Sequence, residues 1–219
     1  MGKTEVIVDT CFLQKLSSEG KVTENIKKVL DELAYTPVVH PYIFEHELSL
    51  YSYLVRLIEE GYIRVIPYNE FQKDVTDKQS YEAYYHVLYE DMRLTLEAMN
   101  SPKKVEKLCL HKGKTIYDTH RQGSSMGDVH MILMASYLQL PVVLTEDSDI
   151  ELLRDVARRR MRLGEYSLQI FNGIQLIEQI AKKQDSSISM KEIELILKAM
   201  RERGSVSTIK AVWREHHIV

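Results

Sequence analysis

Cysteine is scarce in this chain: Cys11 and Cys109 are the only two among 219 residues. Two thiols cannot build a disulfide framework, so the sequence points to a reducing, cytoplasmic setting. Long apolar runs are missing as well. None approaches the roughly 20 residues that cross a bilayer. The opening Met1-Gly2-Lys3-Thr4-Glu5 runs straight into a β-rich stretch with no signal-peptide h-region. Val6 stands where an N-myristoylation pattern wants Ser or Thr, so no membrane partner is expected. No internal repeat or low-complexity segment is visible. Excess charge of one sign is also lacking. The formal net charge of −3 excludes little, because an acidic site and a basic groove cancel in a sum. What remains is an apolar fraction of 44% in 25.5 kDa, enough to bury a core in one generous domain or one domain plus an appendage.

Short β-branched runs alternate with longer stretches of i, i+3, i+4 apolar spacing, which is the pattern of an α/β domain. Strands are expected at residues 5–8, 36–40, 62–66, 142–145 and 167–171, each apolar enough to be covered on both faces. Helices are expected around 26–33 and 129–138. Pro37 and Pro141 stand at expected strand heads, where a missing N–H is tolerated. The expected architecture is a three-layer α/β/α domain over residues 1–184 with a short, mainly parallel sheet. Two regions read as additions. One is a tyrosine-rich helical insertion at about 74–101. The other is a helical extension, 185–219, in which Ser189 and Glu192 form a capping box and Gly204 ends the helix.

Acidic residues recur where chemistry sits in open parallel sheets. Asp9 follows the first strand, Val6-Ile7-Val8, so its carboxylate emerges at the carboxyl edge. Asp147 follows Val142-Val143-Leu144-Thr145 in the same way, with Asp149 two residues on. Asp128 opens a helix, and Glu47 lies six residues after Pro41. Each alone is equally well a turn residue, an N-cap or a complement to a helix dipole. Their common edge changes that balance. Two carboxylates 4 Å apart repel by about 4 kcal/mol at an effective dielectric near 20, so a converging set calls for a cation. All-oxygen ligands favour Mg²⁺ or Mn²⁺ over zinc.

The ordered set Val6-Ile7-Val8-Asp9-Thr10, Pro41…Glu47-Leu48, Gly127-Asp128 with Ala135, and Leu144-Thr145-Glu146-Asp147-Ser148-Asp149 resembles the PIN-domain nucleases over roughly residues 5–180. The resemblance implies a PIN-like fold and an endoribonuclease-type hydrolase. Asp9, Glu47, Asp128 and Asp147 would be its catalytic residues. Asp9, Asp128, Asp147 and Asp149 would be ligands to one or two Mg²⁺ or Mn²⁺ ions. Glu45 competes with Glu47, which the spacing from Pro41 favours. The implied substrate is nucleic acid, single-stranded RNA above all. A homodimer and an antitoxin-like protein are the implied protein partners, the latter if the chain is a toxin.

Arg154, Arg158 and Arg162 fall at i, i+4, i+8, a stripe that could grip phosphates or be a solvated helix face. Lys112-Gly113-Lys114 and residues 120–125 precede Asp128 and could frame a cleft. Tyr81, Tyr84, Tyr85 and Tyr89 could stack bases, but their helical spacing fits packing better. Cys11 reads as a core thiol, and His216-His217 as surface residues. A catalytically silent PIN-like binding module is the competing function. A haloacid-dehalogenase-type phosphatase wants a second Asp where Cys11 stands, and a response-regulator receiver wants an acidic pair and a later Lys that are not evident.

Overall fold

The fold was analysed in a computed structural model, which describes residues 2–108, 114–120, 125–161 and 166–217. Cys109, Lys112, Gly113, residues 121–124 and Arg162 lie outside the described residues. Five parallel strands, β1 (Thr4–Val8), β2 (Tyr35–Val39), β3 (Arg64–Val65), β4 (Val142–Leu144) and β5 (Gln169–Phe171), form one sheet in the order β3-β2-β1-β4-β5. Eleven helices accompany them among the described residues: α1 (Thr10–Leu16), α2 (Glu24–Glu32), α3 (Pro41–His46), α4 (Ser52–Glu59), α5 (Val75–Ala98), α6 (Pro102–Lys107), α7 (Met126–Leu138), α8 (Asp149–Arg160), α9 (Gly173–Lys182), α10 (Met190–Ala199) and α11 (Val206–His216). None of them is long and apolar enough to cross a membrane.

Side chains alternate sides along a strand, yet Val6, Ile7 and Val8 are all fully buried. Both faces of β1 must therefore be covered. One layer holds α1, α2 and α9, which contact one another; the other holds α5, α7 and α8, which do likewise. Helix α7 is buried over its first eleven residues, Met126 to Ser136, and so carries whatever polar groups it bears into the interior. Tyr81, Tyr85 and Tyr89 of α5 are buried, which makes them packing residues. The tail packs as part of the first layer. Helix α10 lies on α1 and α9, α11 runs along α9, and Ile193, Ile196, Leu197 and Ile209 are buried.

Three local expectations need correction. The strand expected at 62–66 shrinks to two paired residues, because the N–H groups of Tyr62 and Ile63 bond back to the Leu57 carbonyl at 2.9 and 3.1 Å. Pro37 is not at a strand head but opposite Val6 within β2; β3 begins only opposite Val38, so one flank of β2 is open there. Helix α10 has the expected Ser189–Glu192 capping box but ends at Ala199. Arg201, in a left-handed conformation (φ 65°), turns the chain, and the Glu202 N–H closes on the Leu197 carbonyl at 2.8 Å.

Candidate functional site

The strand order reverses between β1 and β4. The chain steps outward to β2 and β3 on one side, then crosses to β4 and β5 on the other. At such a switch point the loops leaving adjacent strands diverge and open a crevice at their carboxyl ends. Asp9 and Asp147 follow those two strands. Asp9 caps α1, and three donors fix its carboxylate. The Thr10 N–H bonds Oδ1 at 2.6 Å, while the Cys11 thiol and the Thr145 hydroxyl bond Oδ2 at 2.6 and 2.9 Å. Thr145 also accepts the Asp147 N–H at 3.1 Å, so one hydroxyl ties the two strand ends together.

Asp128 occupies the first turn of α7, and Glu47 ends α3. Gly127 permits their approach: a Cβ there would stand 2.5 Å from Ile43 Cδ1 and 3.1 Å from Glu47 Oε1. Asp9, Glu47, Asp128 and Asp147 all line one cleft of about 440 Å³. Glu45, one turn-position away, is exposed and outside it.

Electrostatics set this cleft apart from the rest of the surface. Among the described residues no Lys or Arg pairs with any of these four acids. Asp9 and Asp128 are each only 6% exposed, so water cannot compensate them either. Burial, then the charges of Asp147 and Asp9, pushes the Asp128 carboxyl well above the usual carboxylate range. Burial, then Asp9, raises Glu47 to about 7. Asp9 is raised too, by burial, against the pull of its three donors. The Cys11 thiol is pushed up by burial and by Asp9; it stays protonated as a donor and is no nucleophile.

The flanking acids of the same segment are treated differently. Lys104 takes Asp149 at 2.6 and 2.7 Å, outside the cleft lining. Lys15 takes Glu146 at 2.6 Å and Glu202 at 2.7 Å, and the Gly173 N–H bonds the other Glu146 oxygen at 2.8 Å. Of Glu146, Asp147 and Asp149, only Asp147 is left to the cleft. The two described members of the Arg stripe, Arg154 and Arg158, do not reach it. Arg154 pairs with Asp155, and neither Arg154 nor Arg158 lines the cleft. Helix α8 starts near the cleft at Asp149 and runs away; Arg158 is nine residues along, about 14 Å at 1.5 Å per residue.

The donor chemistry fits a hard divalent cation: oxygen atoms only, several negative charges, no resident counter-charge. Thr10, whose hydroxyl is buried beside Glu47, lines the same cleft. Among the described residues no three His, Cys, Asp or Glu side chains form a ready-made ion-holding group. What fits here is therefore the donor set and its charge, not a finished coordination shell.

Sequence reasoning passed over His46 and named His120 only as the start of a segment, 120–125, that could frame a cleft. His46 and His120 line the same cleft as the acids. Their rings are stacked, 5.2 Å apart and 4° from parallel. The only sequence signals were their positions, His46 beside Glu47 and His120 in the segment leading to Asp128. Burial and the neighbouring His46 lower the His120 pKa. Deeper in, the Tyr81 hydroxyl lies 3.1 Å from His40 Nε2 and 2.7 Å from His130 Nδ1, and burial depresses both imidazoles, His130 to about 3. No family model, no curated protein and no solved structure matches the chain.

Proposed function

We propose that the chain is a metal-dependent nuclease of the PIN-like type, acting on single-stranded nucleic acid, RNA above all. The observation that supports it is the convergence of Asp9, Glu47, Asp128 and Asp147 on one cleft at the β1/β4 switch point without a compensating Lys or Arg. Asp9, Asp128 and Asp147 would hold Mg²⁺ or Mn²⁺. Bound there, the ion would supply Lewis acidity and offset the charge of the phosphodiester.

The protein's own groups do the rest. Thr145, Cys11 and the Thr10 N–H keep the Asp9 carboxylate in one orientation, which leaves it no rotamer search when ligand arrives. Glu47, raised to about 7, is near half ionised at neutral pH in the cation-free protein. Glu47 lines the same cleft, where a carboxylate can take the proton from a water that attacks phosphorus. Lys104 and Lys15 hold Asp149 and Glu146 aside. Asp149, although two residues from Asp147, serves as a structural anchor of α8 in this scheme.

Cleavage of labelled single-stranded RNA and DNA with Mn²⁺ or Mg²⁺ tests the reading, with calorimetric titration of the same cations alongside. Wild-type protein should cleave and bind. Asp9→Asn and Asp128→Asn should do neither while remaining folded. A flat Mn²⁺ isotherm for wild type, or full activity in both variants, would sink it.

A further inference from the structure

Beside its carboxylates the cleft has a second kind of surface, made by His46, Leu50, Tyr51 and His120. Leu50 is 73% exposed, an unusual state for a leucine that lines a concave site. The two imidazoles are held parallel by anchors that share Tyr42. His46 Nε2 donates to the Tyr117 carbonyl at 2.8 Å, and the Tyr42 ring lies against it, centroids 4.5 Å apart and planes tilted by 55°. The Tyr42 hydroxyl donates to the Thr119 carbonyl at 2.7 Å, so its oxygen is left to accept from His120 Nδ1, 3.3 Å away. A centroid spacing of 5.2 Å with a 4° tilt is an offset stack. Packing in a core would account for such a stack if it were buried, but both rings are half-buried and face the cleft.

We propose that the His46–His120 stack is a nucleobase platform, which binds the base next to the phosphate that the carboxylate side receives. This rests on the nuclease reading and names what that site selects: an unstacked base. In a nucleic acid each phosphate has a base one sugar away, so a phosphate-directed site bordered by a flat π surface matches the polymer's own alternation of charge and ring. Bases inside a duplex have both faces covered; only a single strand can present one. Exposed Leu50 extends the apolar border of the platform.

The test uses the full chain with Ca²⁺ replacing Mn²⁺, and fluorescence anisotropy of a labelled single-stranded oligonucleotide. The same oligonucleotide carrying one abasic residue, placed at each position in turn, forms the second arm. Stacking contributes about 1–3 kcal/mol per base, so His120→Ala and His46→Ala should weaken the intact strand roughly 5- to 150-fold. At one abasic position, wild type and His120→Ala should bind equally. His120→Phe, which keeps a ring and loses every proton-transfer option, should stay within about threefold of wild type. Equal affinity of His120→Ala and wild type for intact strand overturns the platform. So does a loss that is the same for every abasic strand, or a Phe variant as weak as Ala. Wild type that neither binds nor cleaves any strand overturns the nuclease reading itself, whereas wild type that cleaves beside an unaffected His120→Ala overturns only the platform.

Discussion

The two ends of one sheet handle acidic residues in opposite ways. Toward the amino end of β1, Glu5 shares Arg64 with Glu70 at 2.8 and 2.9 Å, and Lys3 meets Asp31 at 2.6 Å. All of these side chains are about half exposed, so water and a cation both compensate them. At the carboxyl end, Asp9 and Asp128 have neither. Residue type is the same and the consequence differs, because the cost of a carboxylate is set by what surrounds it. A surface pair changes stability little. A buried cluster of one sign weakens the fold at neutral pH and gains from an added divalent ion. Such an arrangement makes sense as a site and poor sense as scaffolding.

That contrast can be broken by experiment, and the largest effect is expected at Asp128. Asp128→Asn should lower cation-dependent cleavage by at least ~100-fold, more than a lost outer partner would. The same change should raise the melting temperature of the cation-free protein by roughly 2–8 °C at neutral pH, since it removes a carboxyl that the fold buries at a cost in either protonation state. Adding Mn²⁺ should stabilise wild type and leave the variant unmoved. A variant that melts lower than wild type in chelator would show that Asp128 is compensated after all.

Thr145→Val should come next. It removes one donor to Asp9 and the acceptor for the Asp147 N–H, with an expected ~10- to 100-fold loss of Mn²⁺ affinity. Titration calorimetry reads this directly, and unchanged affinity would mean Asp9 is oriented by Cys11 and Thr10 alone.

A third effect is in stability against pH. The Glu47 carboxyl is raised in the folded state to about 7 from 4.5, so its contribution is complete below about pH 4.5 and is lost as pH rises through 7. In chelator, Glu47→Gln should match wild type near pH 4.5 and exceed it by on the order of 3 kcal/mol above pH 7. Buried His40 and His130, whose pKa values are depressed, act in the other sense: they destabilise the fold as pH falls below about 6.5. That slope is common to both proteins and cancels in the difference. Parallel urea midpoints across this range would remove Glu47 from the cluster.

The smallest effect belongs to the amino end. Arg64→Gln, which abandons two exposed carboxylates, should move the melting temperature by no more than about 2 °C and leave Mn²⁺ binding untouched. A larger loss would erase the distinction between the two ends.

Much of this was legible in the chain. Three apolar β-branched residues followed by Asp9, and Val142 to Thr145 followed by Glu146 and Asp147, place a carboxylate at a strand end whatever the rest of the fold does. The i, i+3, i+4 spacing behind Asp128 reveals its helix. Which acids stay unpaired was not legible. Asp147 and Asp149 look alike in sequence, yet Lys104, forty-five residues before Asp149, takes one and leaves the other. The Arg154–Arg158 stripe was visible as a helix face, but its distance from the cleft depends on the direction in which α8 runs. His46 and His120 were unremarkable apart because neither spacing nor neighbours hint that the seventy-three residues between them fold back to stack them.

By itself the sequence determined the alternation of strand and helix, both-face burial of the central strands β1, β2 and β4 but not of the edge strands β3 and β5, and the acids at strand ends, since these follow from local periodicity and from Cβ directions within a few residues. Only the tertiary structure decided the strand order, the cation partner of each carboxylate and the stacked histidines. Those depend on contacts between segments far apart in the chain, and the free energy of a buried charge is fixed by neighbours that no local pattern names.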